Sequence, residues 1–239
     1  ELALSAGFSY KNGQTFLFND IPTPFGFGPD EDGNSRTSVL RFGQEYTRRD
    51  LNGAWNLRSQ FNLGTEWLNA TTNPDPVPDS QFISWLGQIQ RAQQLGQNHL
   101  LLIQAEIQLT PDSLLPAEQF VIGGGESVRG YRQNARSGDN GFRFAIEDQI
   151  TLTRSAAGTP ELRLTPFIEM GNVWNHPDNP NTLPDQNFLI SAGLGLSLVL
   201  QSGFYAQVNY AFPFVDLSDR GNNLQDDGIT FQLGINRRF

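Results

Sequence analysis

Gly53-Ala-Trp-Asn-Leu-Arg-Ser-Gln-Phe-Asn-Leu-Gly-Thr-Glu-Trp67 reads with a period of two. Its odd positions are Gly, Trp, Leu, Ser, Phe, Leu, Thr and Trp; its even positions are Ala, Asn, Arg, Gln, Asn, Gly and Glu. A strand turns successive side chains to opposite faces, so this segment has one apolar face and one wet face. Helical periodicity is nearly absent, and the same alternation recurs along the chain. At the C-terminus Ile229, Phe231, Leu233, Ile235 and Phe239 share a face with Arg237, while Thr230, Gln232, Gly234, Asn236 and Arg238 share the other. Ten strands are predicted, at about 2–18, 36–48, 53–68, 81–96, 99–110, 141–153, 161–174, 187–201, 204–215 and 229–239. Asn12-Gly13 has hairpin-turn chemistry, but Phe8, Tyr10, Phe16 and Phe18 keep one parity across it, so 2–18 is read as one strand.

The connections alternate in length. Segments 19–35, 69–80, 111–140, 175–186 and 216–228 are long and rich in Pro, Asp, Asn and Gly; 49–52, 97–98, 154–160 and 202–203 are short. Long loops on one side and short turns on the other describe an all-β, antiparallel transmembrane β-barrel with about ten strands present. Soluble sandwiches also alternate in and out, but their loops need not sort by length. The polarity pattern is that of a lipocalin-like barrel turned inside out. Strand lengths suit a bilayer, which tilted strands of about 9–11 residues cross. Trp67, Trp85 and Trp174 fall at the long-loop ends of the apolar face and Trp55 near the opposite end, as expected of interfacial belts.

Composition agrees. Hydrophobic residues are 38% and charged residues 17%, both low for a soluble enzyme, while Gly and Phe are abundant. No run is long and apolar enough for a membrane helix. The net charge of −9 argues against a nucleic-acid partner. The absence of Cys excludes disulfides, zinc thiolates and thiol catalysis. The only Met is Met170 and the chain opens in strand-like sequence, so it is read as a C-terminal piece of a longer protein. The wet face would carry Arg41, Glu45, Arg58, Glu66, Glu106, Arg143, Glu147, Arg163 and Glu169, which requires water or a plug that pairs with them. Asp148 shares parity with Phe144, Ile146 and Ile150 and should face lipid unless a bulge intervenes.

The longest connection, 111–140, contains Phe120-Val-Ile-Gly-Gly-Gly-Glu-Ser-Val-Arg-Gly-Tyr131. Connections of this length are more often functional than idle. On charge alone, Arg129 reads more readily as a solvated loop side chain than as a pairing one. The glycine run lacks the Gly-Lys-Ser/Thr of a phosphate loop, which argues against nucleotide-driven transport. Asp30-Glu-Asp-Gly-Asn34 hints at Ca²⁺, but its glycine is misplaced and its twelfth position is Arg41, so it is read as a solvated loop. His99 and His176 alone make no plausible metal site or hydrolase. Neither a cofactor nor a metal is expected.

Ile122-Gly-Gly with Ser127-Val-Arg-Gly-Tyr131 resembles the loop signature of the BamA/TpsB outer-membrane superfamily. Phe167-Ile-Glu-Met-Gly171 resembles its second barrel motif, usually Phe-x-Asp-x-Gly, with Glu169 at the acid's position. Phe42-Gly-Gln-Glu-Tyr46, Leu57 to Gly64 and Trp85-Leu-Gly-Gln88 are similar to the haemolysin secretion/activation branch (ShlB, FhaC, HecB). The resemblance covers essentially the whole chain. It implies a sixteen-stranded barrel preceded by periplasmic POTRA domains, of which residues 1–239 would be the last ten strands. The barrel alone would then have two unsatisfied edges.

The resemblance also implies a role. The protein would be an outer-membrane pore of two-partner secretion, exporting or activating a large exoprotein such as a haemolysin or adhesin. Its partners would be that exoprotein, the outer-membrane bilayer and, during biogenesis, the assembly machinery, which would read Phe239. The loop motif Val128, Arg129, Gly130 and Tyr131 would turn inward, bent by Gly123, Gly124, Gly125 and Gly130. Arg129 would pair with Glu169 and, secondarily, Glu147 on the adjoining strand, with Phe167 and Gly171 completing the wall motif. No covalent chemistry is expected. A BamA-like assembly factor is the alternative; a passive porin or a barrel enzyme fits less well.

Overall fold

The structure is a computed structural model, described here for residues 1–18, 21–200, 203–221 and 223–235. Ten strands form one antiparallel sheet: β1 (Leu2–Gln14), β2 (Asn34–Asp50), β3 (Gly53–Thr65), β4 (Ile83–Leu95), β5 (His99–Leu109), β6 (Asn140–Arg154), β7 (Pro160–Trp174), β8 (Phe188–Val199), β9 (Phe204–Pro213) and β10 (Ile229–Ile235). Their order in the sheet is their order in the chain. The short connections 51–52, 96–98 and 155–159 lie at one end of the strands, together with the ends of β8 and β9 that follow each other in the chain. Among the described residues β1 and β10 do not pair with each other. Phe239, the expected assembly signal, lies outside the described residues.

β1 runs straight through Asn12 and Gly13, which pair with Arg36 and Ser35. It stops at Gln14, short of the expected 18. Its partner begins at Asn34, because the chain turns at Gly33 with φ +72°. Beyond that point no ladder is available, and Phe16–Leu17 pairs instead with Ile21–Pro22.

The sheet is apolar outside and polar inside. Leu57, Phe61 and Leu63 of β3 are exposed, whereas the alternating Gln60 and Asn62 are buried. Leu4, Phe42, Ile89, Leu194, Phe212, Phe231 and Leu233 continue the exposed band around the sheet. So large a continuous apolar face is not tolerated in water; the solvent that matches it is lipid. Trp55 sits opposite Arg91, whose guanidinium lies 5.1 Å from the ring centroid and pairs with Asp50 at 2.7 Å. This is how a cation is accommodated at the rim of an apolar face.

No bulge displaces Asp148. Register is unbroken from Glu147↔Phe167 to Ile150↔Leu164, and the irregularity comes later, between Thr151 and Arg154. Asp148 therefore keeps its outward parity, and its carboxylate is met by His99 Nδ1 at 2.6 Å. The Asp30 loop is closed on itself: Asp30 accepts hydrogen bonds from the backbone of Asp32 and Asn34.

The compact apolar clusters lie between the sheet and the long connection 110–139. One joins Phe120, Ile122, Val128, Tyr131 and Ala135 to Val173, Leu189 and Leu217; another joins Leu114 to Val39 and Phe82. The loop thus supplies the core that a single sheet lacks.

Candidate functional site

The loop enters through buried Leu114 and Leu115 and makes a short 3₁₀ turn at Pro116–Glu118. It then forms a ribbon in which Phe120–Ile122 pairs with Arg136–Gly138. The ribbon packs against β7 at Gly171, where a Cβ would lie 3.0 Å from the Phe142 carbonyl oxygen and 3.1 Å from Ile122. The wall glycine therefore makes room for the loop. Gly123, Gly124 and Gly130 have φ of +102°, +101° and +93°, a region that strains any side chain with a Cβ. Gly125 differs from the expectation. It has no positive φ, and its nearest neighbour, Thr230, would be 3.7 Å from a Cβ, so the bend is made by the other three.

At the tip, Arg129 is buried against the wall. Its backbone N–H donates to Glu169 Oε2 at 2.7 Å and its Nε to Glu169 Oε1 at 2.8 Å. Nη2 donates to the same Oε1 and to Glu147 Oε2 at 3.1 Å. The paired bonds thus converge on one carboxylate oxygen, and the other is taken by the peptide. The guanidinium lies face-on over Phe167, 3.5 Å from the ring centroid. Phe167, Glu169 and Gly171 share the inward parity of β7, and the register sets Phe167 beside Glu147 on β6.

The side chains of Arg129 and Glu169 are only 8% and 6% exposed. Taking two charges out of water costs several kcal/mol each, and here hydrogen bonds to both carboxylate oxygens and the π face offset it. Removing either partner would strand a buried charge, at a cost of about 3–5 kcal/mol. Arg143 on β6 pairs with Glu106 on β5 and donates to the Glu126 carbonyl at 2.7 Å, steadying the tip from the other side.

Val128 is fully buried in the larger cluster. The Tyr131 hydroxyl donates to the Ile190 carbonyl at 2.8 Å and accepts from the backbone N–H groups of Ile190 and Val215, both at 3.3 Å. Burial pushes its phenol above the ordinary value of 10.0.

The outer end of the loop is tied down by residues that no motif or parity in the sequence marks. Asp139, fully buried, accepts from the backbone of Leu114 and His176 and from Asn179. Asp226 accepts from the Arg132 N–H at 2.9 Å, and Asp219 pairs with Arg132 and Arg136 at 2.7 and 2.8 Å. In sequence these acids lie in Asp- and Asn-rich stretches that read as solvated turns, and parity says nothing about them.

The family model for haemolysin secretion/activation protein ShlB/FhaC/HecB matches residues 31–198. The outer membrane transporter CdiB of Escherichia coli is 30% identical over 170 residues, which is 69% of this chain and 28% of that protein. The solved structure of CdiB from Escherichia coli superposes with TM-score 0.77 at 20% identity, over 98% of this chain and 41% of that one. BamA from Haemophilus ducreyi lacking POTRA domains 1–3 does so with TM-score 0.60 at 14% identity, over 97% and 50%. The chain spans less than a third of the length of the curated relatives it matches. A ten-stranded apolar-out sheet that superposes on outer-membrane barrels, together with a family match across most of its length, places this chain in the ShlB/FhaC/HecB haemolysin secretion/activation family.

Proposed function

We propose that this chain is the C-terminal part of an outer-membrane pore that exports a large exoprotein by two-partner secretion. The observation that carries the reading is the loop 110–139, folded against the wet face of the sheet and latched there by Arg129 to Glu169 and Glu147. A lumen lined by charged and amide side chains suits an unfolded, hydrated polypeptide, and a latched loop keeps such a lumen closed at rest. The apolar outer band is the bilayer contact. Preceding strands and periplasmic POTRA domains would complete the barrel and receive the exoprotein, and the assembly machinery would insert it. The pore performs no covalent chemistry and has no nucleotide to hydrolyse; folding of the exoprotein outside supplies the driving force.

The test is a charge swap in the full-length protein: Arg129→Glu, Glu169→Arg and the two combined, read by planar-bilayer conductance and by secretion of the cognate exoprotein. Each single change is expected to disturb both readouts and the pair to restore them in part. An Arg129→Glu variant with unchanged conductance and secretion would sink the reading.

A further inference from the structure

The Arg129 latch is not the loop's sole charged contact with the wall. Some residues earlier, on the 3₁₀ turn, Glu118 reaches a different part of the sheet. Its Oε1 is 2.9 Å from Lys11 Nζ and accepts from Thr37 Oγ1 at 2.9 Å; its Oε2 accepts from Arg41 Nη2 at 3.2 Å. Lys11 also donates to the Ala117 carbonyl at 2.6 Å, and Gln108 donates to the Glu118 carbonyl at 3.1 Å. The Glu118 side chain is only 6% exposed. Just before it, Leu114 packs on Val39 and Phe82. Lys11, Thr37, Val39 and Arg41 all share the inward parity of β1 and β2, and Lys11 pairs in register with Thr37.

The loop is therefore held at two places with opposite polarity. Its tip presents a cation to acids on β6 and β7, in the middle of the sheet; its entering limb presents an anion to bases on β1 and β2, at one edge. A side chain with three hydrogen-bonding partners from two strands is fixed in position, and each partner is charged or polar. The two contacts share no residue, so each can break without the other.

We propose that Glu118 is a second positioning residue of the inserted loop: it docks the entering limb on β1 and β2 independently of Arg129, and both contacts must release before the lumen clears. This rests on the reading of the chain as part of a secretion pore. While only the tip is free, the limb still crosses the β1–β2 side and the lumen opens partially. With both free, the loop can swing away from the wall about its outer ties at Asp139, Asp219 and Asp226.

The experiment uses the full-length protein in planar bilayers and reads opening frequency and open-state conductance separately. The variants are Glu118→Gln, Arg129→Gln, their combination, and Glu118→Lys alone and with Lys11→Glu and Arg41→Glu. Heat-modifiable gel migration reports whether each is folded; Glu118→Gln, nearly the same shape as the native residue, is the deciding variant. Loss of the charge-assisted bonds of Glu118, whose partners Lys11 and Arg41 stay partly exposed, is expected to raise opening frequency roughly tenfold, and Arg129→Gln, which strands buried Glu169, is expected to raise it further. The double variant should approach the product of the two single effects, since separate contacts contribute additively. Reversal at Glu118 should be rescued by reversal at Lys11 and Arg41 in opening frequency, with heat-modifiable migration unchanged throughout; a role in folding alone would move the migration instead. Wild-type opening in Glu118→Gln, with Arg129→Gln opening freely, overturns the second anchor alone. If neither change alters opening, the pore reading fails and this inference with it.

Discussion

Phe167 and Gly193 face each other across the β7–β8 pair, and the phenylalanine ring fills the space that a side chain at 193 would occupy. A Cβ there would lie 2.5 Å from the ring and 2.2 Å from the Tyr210 carbonyl oxygen. The ring in turn forms the floor under the Arg129 guanidinium. A glycine on a neighbouring strand thus sets the height at which the arginine meets its acids.

Gly193→Ala should accordingly weaken the latch without touching any charge. Overpacking costs about 1–3 kcal/mol, and displacement of Phe167 moves the guanidinium off its floor. Urea unfolding in detergent should show the loss of stability, and bilayer recordings should show more frequent opening. Unchanged values on both would mean that the strand pair relaxes around the extra methyl group.

The loop glycines should separate into two kinds. Gly130→Ala forces a side chain into φ +93°, at a cost of roughly 1–2 kcal/mol. It also brings the new methyl group to 3.3 Å from Ala211. Gly125→Ala meets only Thr230, at an ordinary van der Waals distance of 3.7 Å, and its effect should stay within about 0.5 kcal/mol. Stability in detergent and resting conductance, measured side by side, check this; equal effects at the two positions would contradict it.

The tie at Asp219 should weaken in acid. The hydrogen bond from Arg136, with help from Arg132, holds its carboxyl well below the ordinary 3.8. A folded-state value below the unfolded one gives a contribution that is complete above 3.8 and is lost as the pH falls toward the lower folded value. The carboxyl is 42% exposed, so solvent screening keeps the effect small. Pepsin cleavage within 214–228 should rise as the pH is lowered below 3.8, and Asp219→Asn should already be susceptible above it. Equal cleavage of the two proteins at every pH would show that the pair does not hold the loop.

What the sequence by itself determined is what depends on near neighbours. Period-two alternation located all ten strands of the sheet to within a few residues, because strand parity is a property of successive residues. Turn composition separated short connections from long ones, and the glycine-rich stretch marked a loop that could not be a strand of the sheet. Parity also put Glu147 and Glu169 on the inner face, although it carried no distance. Only the tertiary structure decided which atoms meet. The convergence of Arg129 on a single oxygen of Glu169 depends on the register of β6 and β7. The contact of Glu118 with Lys11 and Arg41 depends on the path of a loop across four strands. Asp139, Asp219 and Asp226 read as solvated turn residues until neighbouring loops close over them. Asp148 kept its outward parity and required a partner, His99, that enters one strand away. Long-range hydrogen bonds are fixed to fractions of an ångström by strand register and packing, and no local pattern carries that information.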